Sequence, residues 1–442
     1  MIERIGVLGA GTMGAGIAQL ACLGRFDTYL HDPDPAALRA GEQRLRAGLA
    51  KGADRGRWTQ AEAEAASVRL RAASRLEDLA GCELVIEAAP EDLELKRKLF
   101  ALLAGVCGTE AILATNTSSL SVTAIASGVE RPERVCGMHF FNPPALMRLV
   151  EVVAGDETSE ETLAIASQVA RTMGREPIRA ADAIGFVANR VARPFTLEAL
   201  RLLGDRIATH EQIDRIVRIG GGFRMGPFEL MDLVGVDLNF EVAKSFWEQS
   251  FHEPRWQPHP IQSRMVAAGR LGRKVGRGYY DFGDGPHRPD DPKPPDRDPG
   301  WSRNPEVEDS VHFVAVPSLE EATLVELAHR PATTPADAEA AEIYFRSMGK
   351  HVEWVGDAPG LVLGRIVCQI VNEAHFAVGE GVATPADVDT AMRLGFNYPR
   401  GPFDWAEAIG PVRVVSVLDE LRSELGEERY RVAPLLRRAA TG

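Results

Sequence analysis

Short apolar runs alternate with longer amphipathic stretches from Ile5 to about Ala180. That alternation predicts βαβ units and a parallel sheet. "RIGVLG", "DTYLHD", "CELVIEA", "AILATN", "RVCGMHF" and "LVEVVAG" read as strands. "GTMGAGIAQLACL" and "EDLELKRKLFALLAGV" read as helices between them. From Gly185 the strand signals fade and helical periodicity takes over, as in "NRVARPFTLEALRLL", to about Phe282. The next stretch, "GDGPHRPDDPKPPDRDPGWSRNPEVE", is too rich in Pro and Asp to order itself and predicts a linker or surface strap. From about Asp309 the pattern predicts mostly helix again.

The last helical segment repeats the first. "GFVANR" (185–190) returns as "GLVLGR" (360–365), a constant offset of 175. At that offset Asp182 meets Asp357, Glu198-Ala199 meets Glu373-Ala374, Asp214 meets Asp389, and one "GPF" meets another. Ungapped identities of this kind predict a duplicated helical domain. Asn189 has no counterpart, because Gly364 stands in its place. The expected layout is therefore an α/β domain over 1–182, a helical domain over 183–282, a linker over 283–308 and a second all-α domain over 309–442.

Composition changes this picture little. A chain of 442 residues exceeds one ordinary core, in keeping with several domains. The net charge of -13 argues against nucleic acid as a partner. The five cysteines (22, 82, 107, 136 and 368) form no CxxC pair and read as reduced thiols. No apolar run reaches the ~18 residues of a membrane span. The first residues, "MIERIGVLGAG", enter a strand directly and leave no room for a signal peptide. The expectation is a cytoplasmic protein without a membrane partner.

Candidate chemistry begins at "VLGAGTMGAGIA", where Gly9, Gly11 and Gly14 stand in G-x-G-x-x-G spacing. The motif closes a strand and opens a helix at Thr12 and Met13, whose free N–H groups suit a pyrophosphate. Asp32 ends the next strand, where a carboxylate accepts ribose hydroxyls and repels a 2′-phosphate. This predicts a Rossmann-type domain binding NAD in preference to NADP. Farther on, "GMHFFNPPALMRLVEVV" holds His139 and Glu151 on successive extended runs that a turn could bring together. A carboxylate beside an imidazole fixes its tautomer and equips it to accept a proton. Taken alone, such a pair reads more readily as a buried structural His and a surface Glu.

Seven ordered segments carry a resemblance. "GAGTMGAGIA", "IEAAPEDLELKRKLF", "TNTSSLSVTAIA", "GMHFFNPPALMRLVEVV", "DAIGFVANRV", "GGFRMGPFELMDLVGVD" and "GRKVGRGYYDF" together resemble the L-3-hydroxyacyl-CoA dehydrogenase family. The likeness covers about residues 1–282, and the repeat extends it to the C-terminus. The two-module arrangement resembles the 3-hydroxyadipyl-CoA members of aromatic-acid degradation as well as the 3-hydroxybutyryl-CoA ones. The resemblance implies NAD-dependent oxidation of an L-3-hydroxyacyl-CoA to the 3-ketoacyl-CoA, without a metal. It makes His139 the base and Glu151 its partner, with Ser118 and Asn189 on the substrate oxygen. It places Glu91, Lys96, Asn116, Asn142 and Lys274 at the cofactor. Lys51, Arg55 and Arg57, in the helical excursion after the second strand, either hold CoA phosphates or are a solvated helix end.

Two other readings share the dinucleotide fold: a dehydrogenase of free 3-hydroxy acids and a non-catalytic, crystallin-type NAD-binding protein. The second helical module, lacking both a glycine fingerprint and the Asn, is expected to act as an internal partner for the first, with higher oligomers open.

Overall fold

The computed structural model describes residues 2–441, in two units: 2–188 with 381–395, and 189–380 with 396–441. The first unit is built on eight strands: β1 (Arg4–Leu8), β2 (Asp27–His31), β3 (Leu70–Ala73), β4 (Leu84–Glu87), β5 (Ile112–Thr115), β6 (Val135–Phe140), β7 (Leu149–Ala154) and β8 (Glu176–Ala181). They lie in the order β3-β2-β1-β4-β5-β6-β7-β8. All neighbours are parallel except β6 and β7. Every residue of β4 and β5 is buried, as expected of parallel strands covered on both faces.

Strand order reverses beside β1 and β4, so the crossovers diverge and leave a crevice at the carboxyl ends of these strands. Two strands escape the apolar pattern. β3 and β8 are the sheet edges, and their sequences "LRAA" and "EPIRAA" are too short or too polar to signal themselves. The excursion after β2 forms two helices, Pro35–Asp54 and Gln60–Arg69. Asp34 caps the first through Ala36 N–H, and a Thr59–Glu62 capping box starts the second.

The second unit holds the helices Arg193–Gly204, His210–Ile219, Pro227–Val234 and Val236–Gln249, then Leu363–Gly379, Pro402–Ile409, Pro411–Leu425 and Pro434–Thr441. The repeated "GPF" has a steric reason in the first copy. The Asp214 carboxylate takes the N–H groups of Phe228 and Glu229, and a Cβ at Gly226 would lie 2.3 Å from that carboxylate. Residues 283–304 form neither helix nor strand, yet they are tied down. Asp291 pairs with Arg218 at 2.7 Å, and Arg288 with Glu229 at 2.5 Å. This is a strap.

Two expectations need correction. The stretch from Asp309 predicts helix, but it contains a three-stranded sheet: β9 (His312–Ala315), β10 (Leu324–Ala328) and β11 (His351–Trp354). β9 runs antiparallel and β11 parallel to β10, with the Pro335–Ser347 helix between β10 and β11. At the same offset of 175 these elements are copies of β6, β7, the Glu160–Thr172 helix and β8. The duplication therefore begins some forty residues earlier than its sequence identities show. The second copy is not all-α.

The other correction concerns 381–395, expected in the second helical domain but part of the first unit. There Ala181 N–H donates to the Val382 carbonyl, and the Pro385–Gly395 helix packs on β7 and β8. The second unit shows the reciprocal arrangement. Gly356 N–H donates to the Ile207 carbonyl, and the His210–Ile219 helix packs on β10 and β11. Each sheet copy is covered by the other copy's helix, so sequence boundaries do not follow packing boundaries.

Candidate active site

The glycine loop leaves β1 with Gly9 at φ +100°. A Cβ at Gly14 would lie 1.7 Å from the Gly9 carbonyl, so strand and helix pack as closely as glycine allows. A Cβ at Gly11 would meet nothing within 4 Å. No protein atom demands glycine at Gly11; the space in front of it does, which fits a pyrophosphate laid on the Thr12–Leu23 helix start. Asp32 takes Ala10 N–H at 2.9 Å on one oxygen and Asp34 N–H at 3.0 Å on the other, and each oxygen keeps a lone pair for ribose. Arg44, which carries no signal in the sequence, donates to the Ala10 carbonyl at 2.8 Å and braces the same loop.

His139 and Glu151 face each other across the antiparallel β6–β7 ladder. The His139 Nδ1–Glu151 Oε2 distance is 2.6 Å. Glu151 is fully buried, and its second oxygen accepts the N–H groups of Val187 and Ala188 at 3.0 and 2.9 Å. These donors come from the turn of "GFVANR", where Gly185 and Phe186 hold φ +70° and +50° and aim two successive N–H groups at one carboxylate. Phe141 and Phe186 flank the imidazole at 4.6 and 5.8 Å between ring centres. Among the described residues, His139 Nε2 has no partner. That nitrogen is free for a substrate hydroxyl.

Ser118 is exposed and lies on Glu91. Glu91 Oε1 accepts from the Thr117 hydroxyl at 2.6 Å, Ser118 N–H at 3.0 Å and Ser119 N–H at 3.1 Å. Burial opposes the Glu91 charge, but Thr117, the Lys96 ammonium and the serine donors outweigh it and hold the carboxyl below its usual range. Lys96 is not a solvated charge. It is 1 % exposed and spends its ammonium on Glu87 at 2.6 Å, Ala89 carbonyl at 3.3 Å and Glu91 at 3.5 Å. Glu87 also accepts from Thr115 and Ala89 N–H, a network the sequence did not signal. Asn116 Oδ1 takes Phe140 N–H at 2.8 Å and steadies the strand beside His139, and Asn142 is exposed.

Asn189 and Lys274 belong to the second unit. Asn189 follows Ala188 directly along the chain, and its side-chain amide bonds no described residue. Lys274 pairs with Asp237 at 2.6 Å. Lys51, Arg55 and Arg57 are exposed at the end of the Pro35–Asp54 helix, where no described carboxylate pairs with them.

A dinucleotide crevice beside a buried His–carboxylate pair defines an NAD-dependent dehydrogenase. Residues 4–183 match the model of the 3-hydroxyacyl-CoA dehydrogenase NAD binding domain, and residues 185–282 and 360–441 match that of its C-terminal domain. The chain belongs to the 3-hydroxyacyl-CoA dehydrogenase family and is an NAD-dependent oxidoreductase acting on a CH–OH group. It is 39 % identical to a 3-hydroxyadipyl-CoA dehydrogenase of Escherichia coli (strain K12), over 99 % of this chain and 98 % of that one. It is 36 % identical to a 3-hydroxybutyryl-CoA dehydrogenase of Clostridioides difficile, over 63 % of this chain and 99 % of the relative. A crystal structure of a 3-hydroxybutyryl-CoA dehydrogenase from Escherichia coli K12 superposes with a TM-score of 0.92 at 37 % identity, covering 100 % of this chain and 98 % of the other.

Proposed function

We propose that His139 takes the proton of the 3-hydroxyl of an L-3-hydroxyacyl-CoA, held in the required tautomer by Glu151. The carrying observation is the 2.6 Å His139–Glu151 contact with Nε2 left free. A carboxylate on Nδ1 keeps the proton there, so Nε2 presents its lone pair to the hydroxyl and then carries the proton away. NAD⁺, when bound, accepts the hydrogen of C3 as hydride. Ser118 and the unpaired amide of Asn189 donate to the oxygen on which charge develops. The Glu91–Lys96–Glu87 network holds the 117–119 loop for this task. Exposed Lys51, Arg55 and Arg57 offer charge to the CoA phosphates. The substrate class follows the relatives: a short 3-hydroxyacyl-CoA of the hydroxybutyryl or hydroxyadipyl kind. The five unbridged, buried thiols support a reducing, cytoplasmic setting.

The purified chain should oxidise NADH on addition of acetoacetyl-CoA. His139→Gln should lower kcat by about 10²–10⁴-fold, the span of general-base catalysis, with NADH affinity kept. Near-normal turnover in that variant would move the base elsewhere. Absence of turnover in the unmutated chain would leave the non-catalytic reading standing.

A further inference from the structure

The helix that starts at the glycine loop ends at a cleft that the reaction above does not use. That helix, Thr12–Leu23, has 12 residues and is about 18 Å long. Its last turn and Gly24 open on a cleft of about 560 Å³, walled by the Gln60–Arg69 helix and the turn at 172–175. Small-molecule sites usually span about 300–1,000 Å³. Three arginines line the cleft: Arg25, Arg69 and Arg175. Arg25 and Arg69 stand just before β2 and β3, at the amino ends of parallel strands, whereas the dinucleotide crevice lies at the carboxyl ends. The cleft is a separate place, wholly within the first unit.

Among the described residues, none of the three arginines has a carboxylate partner. Arg69 spends Nη1 on the Ala65 carbonyl at 2.8 Å. Arg175 spends Nη1 on the Met147 carbonyl at 2.9 Å and the Pro144 carbonyl at 3.4 Å, and Nε on the Met173 carbonyl at 3.4 Å. Both keep Nη2, and Arg25 donates to no described residue. Arg25 is exposed and holds φ +69°, a left-handed conformation that costs an arginine more than a glycine or an asparagine. The fold bears that cost for a side chain it leaves unbonded. The one carboxylate in the lining, Glu62, accepts the Thr59 N–H at 2.7 Å and the Thr59 hydroxyl at 2.9 Å. Cations outnumber it.

Trp58 adds a flat apolar wall. A Cβ at Gly52 would lie 1.8 Å from the indole, so the ring lies against bare helix backbone. Its Nε1 donates to the Leu49 carbonyl at 2.8 Å, which fixes its orientation. The half-buried ring leaves a face toward the cleft on which a second ring can stack. Guanidinium groups with spare N–H donors beside a held indole suit a ligand that joins an aromatic base to a phosphate.

We infer that this cleft is a second ligand site, for a mononucleotide with a terminal phosphate. Such a phosphate brings about two charges and three acceptor oxygens to the guanidinium groups. The phosphates of NADH are internal and singly charged, so the cleft favours the mononucleotide and adds no second NADH site.

The test is calorimetric titration with ADP at saturating NADH, so that the crevice is already filled. It should find one ADP per chain, and adenosine should give no measurable heat. Arg25→Asn, which suits the positive φ, should weaken ADP binding about tenfold, and adding Arg69→Gln should make the loss about a hundredfold. Turnover of acetoacetyl-CoA in the absence of ADP should stay as in the unmutated chain. No ADP uptake at saturating NADH overturns the site, and so does unaltered affinity in the double variant. CoA carries the same base and a phosphate monoester of its own. Undiminished ADP binding at saturating CoA supports a separate site, whereas displacement by CoA would give the cleft to the nucleotide end of the substrate and overturn the inference.

Discussion

At the scale of single residues, the proposed base of the His139–Glu151 pair is singled out because every atom of the pair but one is spoken for. Glu151 gives one oxygen to two backbone N–H groups and the other to Nδ1, which leaves Nε2 as the only open position. Glu151→Gln tests this closely. Its amide oxygen would stay on the Val187 and Ala188 donors, so its NH₂ would face Nδ1 and drive the ring proton to Nε2. An imidazole protonated on Nε2 cannot accept the hydroxyl proton. Turnover should fall by about 10²–10⁴-fold while the fold and NADH binding persist. A variant within a few-fold of normal would show that the carboxylate only fills space. The His139–Glu151 pairing was legible because a strand, a Pro-Pro break and a second strand sit close in sequence. Lys96 was not legible, since nothing local separates a buried cation from a solvated one.

At the scale of elements, the two hexamers are one device used twice. Gly360 and Leu361 hold φ +72° and +46°, and Val362 and Leu363 donate to Glu326 at 2.7 and 3.0 Å. Glu326 sits on β10 where Glu151 sits on β7, but across the ladder from it stands Val314 in place of histidine. In both copies the phrase holds a carboxylate on a strand, and the second copy lacks the histidine and the amide together. Sequence pattern missed β9–β11 because the strands are four or five residues long and the polar, Pro-containing stretch around Pro317, Glu320 and Glu321 separates the first two.

Without a histidine, Glu326 carries a proton: burial pushes it up to about 8, and the like charge of Glu353 adds to this against the two N–H donors. A folded pKa above the ordinary 4.5 means this stabilising contribution is full below about 4.5 and is lost as pH rises through about 8. Asp214, raised by burial to about 7, adds a loss of the same sign. The unfolding free energy from urea titrations should therefore fall between about pH 4.5 and 8, by up to about 1.4 kcal/mol per pH unit for each group over its own window. Glu326→Met should flatten that slope. An unaltered slope would remove Glu326 from the account.

At the scale of the whole molecule, the two copies meet through matched bonds within the second unit. Arg190 pairs with Glu373 at 2.7 Å and Glu380 at 2.7 Å; at the constant offset, Arg365 pairs with Glu198 at 2.9 Å and Asp205 at 3.4 Å. Arg255 reaches Glu373 as Tyr430 reaches Glu198. Reciprocal contacts of this kind are what two identical subunits make about a twofold axis. We propose that the second copy takes the place of such a subunit inside one chain. Ending the chain after Gly283 would strip Arg190 of both its carboxylates, leave Arg255 only Glu253, and bare the face of the Arg193–Gly204 helix. Light scattering should then find self-association or aggregation, whereas a fully active monomer would refute the internal partner.

We propose that the repeat confines chemistry to one copy, since the second has Val314 for His139, Gly364 for Asn189 and no glycine fingerprint. Calorimetric titration of the full chain with NADH measures this directly. The account predicts one site per 48.0-kDa chain, and two sites per chain would contradict it.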